Sequence, residues 1–144
     1  MGFHKALLRL FGKTLQIEPE FKKFLNDNFK LIEQNGEDTI RIYSSPNYKL
    51  RIVQDNNRSR FIDVSTNDKP DDWFYLDVLR SYILNNDDYI TSESDSFKTL
   101  FKFLSENEEK VQFALNKDNY TQTEAGYERM LRKRSDERFG RVEN

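Results

Sequence analysis

FKLIEQNGEDTIRIYSSPNYKLRIVQDNNRSRFIDV, residues 29–64, is the stretch whose reading decides the fold. It divides into four short apolar runs separated by three turn signals. Asn35-Gly36 supplies the dipeptide best suited to two positive-φ turn positions, so a two-residue hairpin loop is expected there. That loop places Leu31 opposite Ile40 and Phe29 opposite Ile42. Ser45-Pro46-Asn47 has Pro for the first turn position and Asn for a left-handed one. A three-residue loop then sets Ile42 opposite Leu50 and Ile40 opposite Ile52.

At the third turn the register follows from one charge. A two-residue loop would place Asp63 beside Leu50 on the apolar face, and burying a lone carboxylate costs several kcal/mol. A three-residue loop, Asn56 to Arg58, instead pairs Leu50 with Val64 and Ile52 with Ile62. The expected core face is therefore Phe29, Leu31, Ile40, Ile42, Leu50, Ile52, Ile62 and Val64. On the opposite face Lys30, Arg41, Arg51 and Asp63 form one row with Tyr43 and Lys49 beside it. Ile32, Thr39, Val53 and Phe61 form a second row. Like charges facing each other across strands are unfavourable, so the basic row calls for water or an anionic partner.

The chain has 144 residues, a length that suits one domain burying about two-thirds of its extended surface. Twelve Phe and seven Tyr argue against intrinsic disorder, because such side chains can offset the entropy of ordering. The net charge of −2 exerts no global pull toward nucleic acid or membrane. With no cysteine, disulfides, thiolate catalysis and Cys-based metal sites are excluded, which fits a cytoplasmic protein. A single histidine, His4, leaves the serines without a base and rules against a multi-His zinc site. No apolar run is long enough for a bilayer, and no signal-peptide cleavage pattern is seen.

The flanking segments read as helices. Over residues 3–15, Phe3, Leu7, Leu10 and Phe11 recur at helical spacing while Lys5, Arg9 and Lys13 mark another face. Such a basic amphipathic segment can bind a membrane surface, but the commoner use is to pack its stripe on the domain. Glu18-Pro19-Glu20 opens a second helix with Phe21, Phe24 and Leu25 as its stripe. After the strands, a polar loop from Thr66 leads to Asp71 or Asp72 as cap of a helix over residues 73–84. One further helix from Ser96 carries Leu100, Phe103, Leu104, Val111 and Leu115. Thr121 and Glu124 form a capping box for the last helix, which bears Tyr127, Met130 and Leu131. The expected fold is thus a single α+β domain over residues 1–144: a four-stranded antiparallel meander, about residues 29–65, packed with N-terminal and C-terminal helices.

Charge is unevenly placed. Residues 66–95 hold Asp68, Asp71, Asp72, Asp77, Asp87, Asp88, Glu93 and Asp95 against Lys69 and Arg80 alone, whereas both ends are basic. Asp68, Asp71 and Asp72 lack the glycine and distal bidentate acid of a calcium loop, so helix capping and solubility explain them better than a metal. The same holds for Asp87, Asp88, Glu93 and Asp95. Arg132-Lys133-Arg134, with Arg129, Arg138 and Arg141, is interspersed with Glu128, Asp136 and Glu137 and reads as an ion-paired helix face. The five scattered glycines form no phosphate loop. No catalytic residue, metal ligand or cofactor is assigned, and a non-enzymatic role is expected.

Leu50-Arg51-Ile52-Val53, Phe61-Ile62-Asp63-Val64 and Trp73-Phe74-Tyr75-Leu76-Asp77-Val78-Leu79 together resemble a pattern found in small bacterial immunity-type proteins, over residues 48–79. Those families commonly pair helices with an antiparallel sheet and neutralise a co-encoded toxin. The resemblance implies a cytoplasmic binder whose acidic surface or sheet face blocks a toxin effector, and it carries over no individual functional residue.

Two expectations follow for function. In the first, Asp68, Asp71, Asp72, Trp73, Tyr75, Asp87, Asp88 and Tyr89 bind a basic protein partner, since aromatic anchors in a steering field suit tight association. In the alternative, the outer sheet face binds single-stranded nucleic acid: Tyr43 and Phe61 stack bases while Lys30, Arg41, Lys49 and Arg51 neutralise phosphate.

Overall fold

Five antiparallel strands form one sheet in the order β1-β2-β3-β4-β5, so sequence neighbours are also spatial neighbours. The computed structural model describes residues 14–56, 58–85 and 97–139, residues 136–139 by backbone only. The elements are α1 (Pro19–Asn28), β1 (Lys30–Gln34), β2 (Ile40–Ser44), β3 (Lys49–Gln54), β4 (Arg60–Ser65) and β5 (Phe74–Tyr75). They continue as α2 (Leu76–Leu84), α3 (Phe97–Glu106), α4 (Glu108–Leu115) and α5 (Tyr120–Phe139). The fold is α+β, with a fifth strand added to the expected meander. Most of the N-terminal segment, including His4, lies outside the described residues, as do Asp87, Asp88, Tyr89, Glu93, Asp95 and Arg141.

The β3–β4 register is the one the charge argument requires: Leu50 faces Val64, Ile52 faces Ile62, and Arg51 faces Asp63. Arg58 takes the left-handed position of the connecting turn, with φ 65°. The other two registers differ from expectation. Asn35 does not form a two-residue loop with Gly36. Its side-chain oxygen accepts the backbone N–H groups of Thr39 (2.8 Å) and Ile40 (3.0 Å), which lengthens the turn. The left-handed residue is Asp38, φ 56°, rather than Gly36.

Asp38 can take this conformation because its side chain is satisfied on all sides. The carboxylate is buried and accepts bonds from Gln34 Nε2 at 2.6 Å and from Arg41 Nε and Nη2 at 2.8 and 2.9 Å. Its carbonyl also accepts the Leu15 N–H at 2.7 Å. Four bonds at one buried residue outweigh the intrinsic preference of Asn-Gly, since asparagine and aspartate already tolerate positive φ. A bulge at Ile32 then lets β1 pair with β2 through Leu31–Tyr43 and Glu33–Ile42.

The β2–β3 turn is one residue longer than expected. The Ser45 hydroxyl donates to the Tyr48 carbonyl (3.0 Å) and accepts its N–H (3.2 Å), so the ladder starts at Ser44–Lys49. Tyr48 is fully buried, edge-on to Phe29 with ring centroids 5.3 Å apart. Burying that ring stabilises the fold by about 2–3 kcal/mol, enough to favour this turn. The shift by one residue turns β2 over. Tyr43 and Arg41 now share a face with Leu50 and Ile52, and Ile42 and Ile40 share the other with Arg51 and Val53.

Beneath the core face a single apolar cluster joins Leu50, Ile52, Ile62, Val64 and Phe74 to Leu76 and Leu79 of α2, Phe97, Phe101 and Leu104 of α3, and Val111 of α4. Pro19 opens α1 as expected, and Phe21 stacks on Phe101 with centroids 4.3 Å apart. Residues 14–17 run across the sheet end that carries the β1–β2 and β3–β4 turns. Gln54 Nε2 donates to the Thr14 carbonyl (3.0 Å), Arg60 Nη1 donates to the Gln16 carbonyl (2.7 Å), and Arg60 pairs with Glu18.

Three helix boundaries differ from the sequence reading. Asn107 divides the expected single helix into α3 and α4, because both its backbone N–H and its side-chain amide donate to the Phe103 carbonyl (2.9 and 3.0 Å). Phe74 and Tyr75 pair with Val64 and Asp63, so α2 starts at Leu76 and neither Asp71 nor Asp72 caps it. Helix α5 starts at Tyr120, placing Thr121 inside its first turn rather than at the cap.

Gly126 is where α5 approaches α2: a Cβ there would overlap the Tyr82 ring. In an open helix, glycine-to-alanine stabilises by about 1 kcal/mol. Gly126→Ala is therefore expected to destabilise the parent by about 1–3 kcal/mol and to stabilise a Tyr82→Ala background, a reversal of sign readable in urea unfolding of the four proteins.

Candidate functional site

Four strands contribute one row to the outer sheet face: Ile42, Arg51, Asp63 and Tyr75, each directly opposite the next. Arg51 Nε and Nη2 both donate to Asp63 Oδ2, at 2.9 and 2.7 Å. The Arg51 guanidinium also stacks on the Trp73 ring, 4.4 Å from its centroid. Arg51 is thereby held flat between an acid and an aromatic plane, an arrangement its planar fork permits. Tyr75 is 52% exposed, and its backbone N–H donates to the Tyr127 hydroxyl at 3.0 Å. Burial pushes the Tyr127 pKa up to about 12, so this hydroxyl stays protonated at neutral pH.

The loop before β5 carries the exposed acids Asp68, Asp71 and Asp72. Its backbone is pinned rather than loose. Asn67 Nδ2 donates to the carbonyls of Ser45 and Pro46 (3.1 and 3.0 Å), and the Thr66 hydroxyl accepts the Lys69 N–H (3.0 Å). The loop therefore stands at the β2–β3 turn end of the sheet, with half-buried Trp73 and exposed Tyr75 following directly. Five of the eight residues assigned to protein binding, Asp68, Asp71, Asp72, Trp73 and Tyr75, fall on this continuous stretch. The other three, Asp87, Asp88 and Tyr89, lie outside the described residues.

The six residues assigned to nucleic-acid binding do not share one face. Arg41 and Tyr43 turn to the core side. Tyr43 is buried, and Arg41 is engaged by Asp38, whose hydrogen bonds raise the Arg41 pKa. The cause is the one-residue shift of β2, set by Asp38 and Tyr48. Lys30, Lys49, Arg51 and Phe61 lie on the outer face, and Arg51 there is paired with Asp63. The expected basic row is thus replaced by a mixed one. Its neighbour, Ile40–Val53–Phe61, is apolar, and Phe61 is 47% exposed.

Sequence reasoning missed the Arg51–Trp73 contact and the outward placement of Ile40 and Ile42. Trp73 lies 22 residues from Arg51 in the chain, and the meander pattern carries no signal for the β5 pairing that joins them. A cleft of about 660 Å³ between α2, α4 and α5 is lined by Tyr82, Phe113, Arg129 and Met130 among others, apart from the acidic loop. Among the described residues no cluster of His, Cys, Asp or Glu is arranged to hold a metal ion, and no helix is long and apolar enough to cross a membrane. Comparison with known proteins gives no match to a family model, to a curated protein or to a solved structure.

Asp63 is buried, and this pushes its pKa up more strongly than the Arg51 pair pulls it down. The folded state therefore holds the Asp63 proton more tightly than the unfolded state does. That contribution to stability is present below the unfolded pKa and is lost as pH rises through the folded one. Urea midpoints of the parent and Asp63→Asn over about pH 3 to 6 check this: the parent's advantage over the variant should fall with rising pH. A difference that grows with pH would reverse the assignment.

Proposed function

We propose that this protein is a non-enzymatic binding module that inhibits a basic protein partner, of the kind a bacterial immunity protein offers to a toxin effector. One observation carries the reading: a pinned loop of exposed acids runs directly into an aromatic pair, Trp73 and Tyr75, at the end of a sheet. Acids on a rigid loop provide a field that speeds encounter with a cationic surface. The Trp73 ring, already held against the Arg51 guanidinium, loses little entropy when a partner covers it, which is what binding hot spots require. Asn67 ties the start of the acidic loop to the β2–β3 turn. The resemblance of residues 48–79 to immunity-type proteins points the same way.

Single-strand binding is less well supported by this geometry. Stacking and phosphate neutralisation must come from one face, and Arg41 with Tyr43 is on the other.

Affinity purification with the full chain from its native host tests the reading. A stoichiometric basic protein is expected, whose toxicity the parent suppresses. Trp73→Ala or Tyr75→Ala should weaken that complex by about 2 kcal/mol. Replacing Asp68, Asp71 and Asp72 by Asn should slow association and flatten its salt dependence. Recovery of no stoichiometric partner, or of one bound equally by all the variants, would overturn it.

A further inference from the structure

The two edges of the sheet are not alike. At one, β5 has two residues and runs straight into α2, which leaves too little backbone for another strand to pair with. At the other, β1 has five residues, no proline and every side chain exposed, Leu31 by 43% and Ile32 by 49%. Its open edge runs for about 17 Å with these two large apolar side chains at the middle. Such an edge is a template for a further strand.

The pattern of β1 says which strand fits it. Lys30 faces Ser44 and Glu33 faces Ile42, and Ser44 and Ile42 lie two residues apart in β2, on one face. In a regular strand Lys30 and Glu33, three residues apart, would point to opposite faces. The bulge at Ile32 brings both to the outer face. An antiparallel copy of β1, related by a two-fold axis between Leu31 and Ile32, therefore sets Lys30 opposite Glu33 twice over, with Leu31 opposite Ile32 between the two pairs. A bulge on an edge ordinarily discourages pairing, because a regular strand does not follow it. A second β1 carries the same offset. We infer that β1 is a self-complementary edge through which two copies of this chain join their five-stranded sheets into one continuous sheet.

Charge favours a second copy over an arbitrary strand. As a segment β1 holds one cation and one anion, so like copies do not repel. Shifting the register by one residue would set Glu33 against Leu31 and lose both ion pairs, which pins the alignment. The junction is short, so the dimer is weak and forms with rising concentration. In strand order β1 is the edge farthest from β5, so Trp73 and Tyr75 stay open and the inference does not rest on the proposed function.

Sedimentation velocity on the full chain, from about 10 µM to 1 mM, is expected to show a monomer–dimer equilibrium. Lys30→Glu and Glu33→Lys each turn both ion pairs into like-charge contacts, and each should weaken the dimer by about tenfold or more. Both side chains are exposed, so the fold tolerates the exchanges. Combining Lys30→Glu with Glu33→Lys should restore the dimer, and an equimolar mixture of the two single variants should associate at least as strongly as the parent. The inference is overturned if the parent stays monomeric over that range. It is equally overturned if the dimer is indifferent to the single exchanges, since the copies would then meet through another surface such as the apolar Ile40–Val53–Phe61 row, or if the combined exchange fails to restore association.

Discussion

The buried pair of Asp38 and Arg41 is the constraint on which the rest of the structure depends. Its three side-chain hydrogen bonds and the carbonyl bond to Leu15 place a left-handed residue in the first hairpin. Breaking one partner of such a pair leaves an uncompensated buried charge, typically worth 3–5 kcal/mol, so the pair holds its geometry against local alternatives. Because Arg41 must reach Asp38, β2 presents Arg41 and Tyr43 to the core side. Ile40 and Ile42 are displaced outward as a direct consequence. The same node binds Leu15 to the sheet end.

Two kinds of surface result from that one choice of register. The outer face, which alternation alone would have made basic, becomes apolar near the turns and mixed at its centre. Arg51 remains outside, but Asp63 and Trp73 engage its guanidinium from two directions. Exposed acids stand in a run at the far end, on the loop that Asn67 ties to the β2–β3 turn. A basic partner meeting this sheet would encounter charge first and aromatic rings next. Those are the two components that speed association and then hold it.

How far the fold was legible can be read from individual turns. The β3–β4 register was recoverable because only one loop length keeps Asp63 off the apolar face, and charge burial is costly enough to decide alone. The first two turns were not recoverable in the same way. Asn35-Gly36 and Ser45-Pro46-Asn47 carry strong local preferences, yet Asp38 gains its bonds from Gln34, Arg41 and Leu15, and Tyr48 its burial against Phe29. The local bonds from Gln34 and Arg41, together with the distant partners Leu15 and Phe29, outweigh turn propensities of about 1 kcal/mol. For the candidate site, the acidic stretch with Trp73 and Tyr75 was visible as composition, whereas the Arg51–Trp73 stack was not.

By itself, then, the sequence determined the α+β class, the four main strands, the opening of α1 at Pro19, and the acidic loop. These follow from periodicity, proline geometry and charge, which act over a few residues. Only the tertiary structure decided which face of β2 is buried and that Phe74 and Tyr75 extend the sheet. Each of those depends on a buried ring, an ion pair or a strand partner whose energy exists only once distant segments have met. The alternation of β2, Ile-Arg-Ile-Tyr, permits either orientation. Asp38 on one side and Tyr48 on the other choose between them.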